Sequence, residues 1–153
     1  MTGCGDSSSR SFALKEPIPL GPYALTVSGV ESAPWGGEKA AFIILFETDK
    51  PVTEKKFTTH FRRGRFKVTD SNGKRYTPVF VTTVVDYKAE QCNQRQDFES
   101  MAFWGQRREE PQQEWVLVFS PPPPLPGSGL TLSIENPDPR QGQAGVARVP
   151  LGR

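Results

Sequence analysis

The single histidine, His60, and six acids, Glu90, Asp97, Glu99, Glu109, Glu110 and Glu114, are the residues best placed to move a proton. A hydrolase with an imidazole base would depend on His60 alone, and two convergent carboxylates could serve as general acid and base. Spacing signals neither arrangement. The chain has no Gly-x-Ser-x-Gly, no phosphate loop, no CxxC and no Cys/His cluster. His60 stands between Phe57 and Phe61 with arginines following, which suits a surface or half-buried strand residue better than a base. Acids in polar loops ordinarily serve solvation. These residues predict a non-catalytic chain without metal or cofactor, and an enzyme with a carboxylate pair is the third reading.

Charge is distributed unevenly. Between residues 55 and 75 lie Lys55, Lys56, Arg62, Arg63, Arg65, Lys67, Lys74 and Arg75 against one acid, Asp70, a local +7 in a chain of net +2, so the remainder carries −5. Alternating Arg63, Arg65 and Lys67 would project from one face of a strand, with Lys55, Lys56 and Arg62 near it and Lys74 and Arg75 at a hairpin end. Such a face could meet lipid head groups, acidic polysaccharide or nucleic acid. Nucleic acid is not expected, because neither interleaved aromatics nor a known module accompanies the cations. A solvated strand face that discourages edge pairing is the plainer reading. Two loop aromatics, Trp35 beside Pro34 and Gly36, and Trp104 before Gly105, could contact sugar rings or a protein partner.

One thiol has a specific chemistry. The opening Met1-Thr2-Gly3-Cys4-Gly5 resembles the end of a bacterial lipoprotein signal peptide, in which small residues precede a cysteine that accepts a diacylglyceryl group. The polar stretch Ser7-Ser8-Ser9-Arg10 after it suits a mobile stalk, so residues 1–11 are expected as a tether and residues 12–153 as one domain. A Cys4 to Cys92 disulfide is the rival fate of that sulfur.

The elements that must position these groups are strands. Fifteen prolines and 14 glycines in 153 residues cut the chain into strand-length pieces. Tyr23, Leu25 and Val27 alternate with Ala24, Thr26 and Ser28, as in an edge or near-edge strand, and Gly29 suggests a bulge. Phe42 to Phe46 is apolar throughout, which requires cover on both faces and predicts a central strand. Phe66 and Val68 lead into Asn72-Gly73, which can take the positive angles of a tight hairpin turn before Tyr76. Residues 115–119 and 130–135 alternate, with Trp115 in the core, and they flank a proline run at 121–126 expected as an extended connector. Residues 86–97 read as a long polar loop, and Val146 to Val149 as a last edge strand. The sum is an all-β, immunoglobulin-like antiparallel β-sandwich of seven to nine strands.

The order Tyr23-Ala-Leu-Thr-Val27, Phe42 to Phe46, Phe66-Lys-Val-Thr-Asp-Ser-Asn-Gly-Lys-Arg-Tyr76, Trp115-Val-Leu-Val-Phe119 and Leu130-Thr-Leu-Ser-Ile134 is similar to the telokin-like, immunoglobulin-fold domains of unknown function found in bacterial surface lipoproteins. The resemblance covers residues 12–136, departing in the basic segment after Thr53 and the loop around Cys92. It implies a binding or assembly role at the cell surface or in the periplasm. The expectation is therefore a lipid-anchored binding module of the bacterial envelope, with an envelope protein or an anionic surface polymer as partner. A secreted or periplasmic carbohydrate-binding domain using loop aromatics is the alternative.

Overall fold

The computed structural model describes residues 8–35, 38–85, 87, 110–119, 123 and 129–151. In chain order the strands are β1 (Ser9–Ser11), β2 (Ile18–Leu20), β3 (Tyr23–Trp35), β4 (Glu38–Val52), β5 (Phe66–Thr69), β6 (Arg75–Tyr76), β7 (Phe80–Thr83), β8 (Gln112–Phe119), β9 (Thr131–Glu135) and β10 (Val146–Pro150). A helix, α1 (Glu54–His60), and a 3-10 turn (Arg63–Arg65) separate β4 from β5. The described strands form two five-stranded sheets, ordered β1-β10-β9-β5-β6 and β2-β3-β4-β8-β7.

This is the expected β-sandwich. Strands β3, β4, β8 and β7 take the order of the A, B, E and D strands of an immunoglobulin domain, and β10, β9 and β5 that of G, F and C. Ten strands are present among the described residues, and β1 pairs with β10 in parallel, so the first sheet is mixed. Strand β10 consequently lies between β9 and β1 and is not an edge. Ser9–Ser11, inside the stretch expected as tether, supply that edge.

Alternation places the core. Leu25 and Val27 of β3, Phe66 and Val68 of β5, Leu132 and Ile134 of β9, and Ala147 and Val149 of β10 are all buried between the sheets. The apolar run of β4 is covered on both faces: Phe42, Ile44 and Phe46 enter the main core, while Ile43 packs with Tyr87, Val116 and Val118 in a second cluster on the other side. Strand β4 pairs with β3 and β8, the central place that its composition predicts. The β3–β4 register shifts between Val27 and Gly29, which is the bulge.

The segment from Thr53 to Arg65 differs from expectation. It is helical, because the Thr53 side chain caps the Lys56 N–H at 3.3 Å and Phe57 and Phe61, one turn apart, are both fully buried. The Phe57 ring stacks on Trp115, with centroids 4.1 Å apart and planes at 23°, and also meets Phe46 and Phe61. Each such ring taken from water contributes about 1.5–3 kcal/mol. His60 therefore ends a helix and is not a strand residue, and Arg63 and Arg65 lie in a 3-10 turn.

The β5–β6 hairpin forms where expected, with a different turn. Only Gly73 takes a positive φ, 86°, and Asn72 does not. The Asp70 carboxylate organises the loop by accepting from the N–H groups of Asn72 (2.9 Å) and Lys74 (3.0 Å), an Asx turn.

Candidate anion-binding face

Strand pairing decides which cations meet. In the first sheet Lys67 of β5 and Arg148 of β10 are both register partners of Ser133 in β9. Their inward neighbours are buried, so all three point to the outer face, with Ser133 flanked by a cation on either side. The next row is Arg75, Thr69 and Thr131. On the other side Glu135 pairs with Val146, and Arg65, leading into β5, reaches Glu135 through Nη1 at 3.5 Å.

These side chains line a shallow trough of about 470 Å³. Its cations are Arg65, Lys67, Arg75 and Arg148, and its floor carries the hydroxyls of Thr69, Thr131 and Ser133. Among the described residues two acids touch it, and both are engaged. Glu135 is held by Arg65. Asp70 is spent on its turn: desolvation pushes its carboxyl upward, but the Lys74 and Asn72 N–H groups and the Tyr76 hydroxyl, 3.2 Å away, bring it below its ordinary value. The Lys67 ammonium rests on the Gly64 carbonyl at 2.8 Å, a neutral partner that an anion could replace. At the trough's rim Gly129 has φ +85, and a Cβ there would lie 2.8 Å from the Ser71 Cβ, so only glycine allows this close approach.

The expected patch is thus divided. Arg65, Lys67 and Arg75 come together. Lys74 lies over the Tyr76 ring, 5.3 Å from its centroid, and Arg63 donates to the Val79 carbonyl at 3.0 Å. Arg62 is exposed before the 3-10 turn. Lys55 and Lys56 ride on α1 beside Pro22, Tyr23 and Asp138. The idea of Arg63, Arg65 and Lys67 projecting from one strand fails because the strand begins only at Phe66. Arg148 and the hydroxyl row were missed; the alternation of residues 131–135 and 146–149 marks them as outward positions, but not which strands they neighbour.

The remaining chemistry is sparse. His60 packs edge-on to Tyr23 at 5.3 Å, and its buried Nε2 has no hydrogen-bond partner among the described residues. Burial holds its pKa below the ordinary value, with Asp138 opposing and Arg65 and Arg140 assisting. Glu114 stands directly opposite Glu47 across β8 and β4, and both are exposed. Glu110 is exposed too. No group of three potential metal ligands occurs among the described residues. Trp35 closes β3 as the partner of Glu38 rather than lying in a loop. Cys4, Cys92, Trp104, Glu90, Asp97, Glu99, Glu109 and all of the proline run but Pro123 lie outside the described residues.

Compared with protein families, characterised proteins and solved structures, the chain matches none of them.

Proposed function

We propose that this chain is a non-catalytic binding module of the bacterial cell envelope, tethered by a diacylglyceryl group on Cys4, whose outer β5–β9–β10 face holds an acidic polysaccharide of the cell surface. The observation that carries the binding half is the convergence of Lys67 and Arg148 on Ser133, with Arg65 and Arg75 in the same trough. Strand pairing fixes the spacing of Lys67 and Arg148 about Ser133, and the hydroxyl between them can donate to an anion's oxygens. Among the described residues no aromatic lines the trough, which favours charge pairing with a polyanion over base stacking. The tether half rests on the residues around Cys4.

Heparin affinity over a salt gradient tests the face. The reading expects retention that falls with salt and is lost in the Lys67→Glu/Arg148→Glu variant. Retention unchanged by that pair refutes it, and equal retention on single-stranded DNA or anionic vesicles assigns the face to another anion. The tether is tested separately, by metabolic labelling of the full-length protein in its native cell with an alkyne fatty acid. Label absent from the wild type, or still present in Cys4→Ser, rejects it.

A further inference from the structure

Lys55 and Lys56, which the sheet face leaves out, border a second surface. Two adjoining recesses, of about 490 and 660 Å³, share Pro22, Tyr23, Thr53 and Lys56 as lining and so form one groove along α1. Pro51 and Pro111 close one end, and Thr59, His60 and Asp138 the other. We infer that this groove docks an extended acidic peptide segment of a partner protein. The surface is distinct from the basic sheet face, and the inference does not depend on polysaccharide binding there.

Three features select that occupant. The lining is rigid and apolar: three prolines from separate parts of the chain and the half-buried Tyr23 present surface that loses almost no freedom on contact, as in grooves that accept extended peptides. The rim is cationic: among the described lining residues Lys50, Lys55 and Lys56 face one acid, Asp138, which is already within 3.3 Å of Arg140. Acidic residues alternating with apolar ones would set carboxylates on the rim and side chains in the recesses. The third feature argues against a sugar. The Tyr23 ring is hemmed by the Lys50 ammonium, 5.7 Å from its centroid, by the His60 ring at 5.3 Å and by Phe61 at 6.1 Å. A pyranose stacking on the ring face under Lys50 would have to displace that ammonium.

The test is a fluorescence-anisotropy titration of the full chain with a fluorescein-labelled peptide of alternating glutamate and leucine around a central proline, at low salt. Saturable binding is expected. It should weaken about tenfold or more in Lys50→Glu/Lys56→Glu, two exposed positions whose exchange leaves the fold intact by circular dichroism. It should persist in Lys67→Glu/Arg148→Glu. No saturation at millimolar protein, or affinity unchanged by the groove pair, overturns the inference. Loss through the sheet-face pair instead also overturns it, since the peptide would then be a mere polyanion on the other surface. Peptide binding that survives while heparin retention fails separates this inference from the proposal above.

Discussion

The side chain of Gln143 grips both backbone groups of Gly21: its Oε1 accepts from the Gly21 N–H at 2.8 Å, and its Nε2 donates to the Gly21 carbonyl at 3.1 Å. Gly21 lies in the turn between β2 and β3 of one sheet, whereas Gln143 lies between β9 and β10 of the other. The same Oε1 accepts from the buried Asn136 and from the Arg140 N–H. One amide thus stitches the two layers by satisfying both backbone groups of the buried Gly21, which no apolar contact could do.

Gln143→Ala removes that stitch and leaves the Gly21 and Asn136 donors short of a partner. The expected loss is about 2 kcal/mol, seen as a melting temperature lower by about 4–8 °C. Arg140→Ala, an exposed neighbour, should move it far less.

Phe57→Ala should cost about 3–5 kcal/mol, because the ring is fully buried against Trp115 and the cavity cannot collapse between two sheets. Urea unfolding measures the loss. Tryptophan emission of the folded variant should shift to the red as the Trp115 indole loses its stacking partner.

The histidine gives stability an acid-side slope. Its pKa is lower in the folded chain than the ordinary 6.5, so the unfolded chain binds the proton more readily. Stability is full above about pH 6.5 and falls as pH drops from there toward the lowered folded value. Melting temperatures between about pH 7.5 and 5 should show this decline, and His60→Gln should flatten it. Asp70 acts further down: its pKa is also depressed, so its contribution is present above the ordinary 3.8 and disappears as pH falls through the folded value.

Glu114→Lys should stabilise. Glu114 and Glu47 are direct partners across β8 and β4, and like charges so placed repel. Exchanging one for an opposite charge is worth about 0.2–1 kcal/mol, lost again in high salt.

Much of the sandwich was legible in period-two patterns, since Phe66 and Val68 or Leu132 and Ile134 reveal their inward face without knowledge of any neighbour. The apolar run of β4 predicted its central place for a similar local reason: Ile43 and Ile44 point oppositely and both need cover. Helix α1 was hidden because Phe57 and Phe61, four apart, also fit an alternating strand, and the Thr53 cap was read only as the start of a basic run. The face around Ser133 could not be read at all. Lys67 and Arg148 become neighbours through β9, and pairing between distant strands is set by the packing of the whole domain, not by either residue's surroundings in the chain.

Strand β1 has a geometric corollary for a lipid on Cys4. Only five residue steps separate Cys4 from Ser9, where β1 begins, and a chain spans at most about 3.3–3.6 Å per residue. The leash is then no longer than roughly 18 Å, shorter than a membrane is thick. Because Ser9 is the register partner of Val146 and the trough runs from the Val146 and Arg65 end toward Arg75, that end would hang nearest the bilayer. On the proposed tether the Val146 end of the cationic face would stay within that short reach of the lipid, so a polymer bound there would be held close to the membrane.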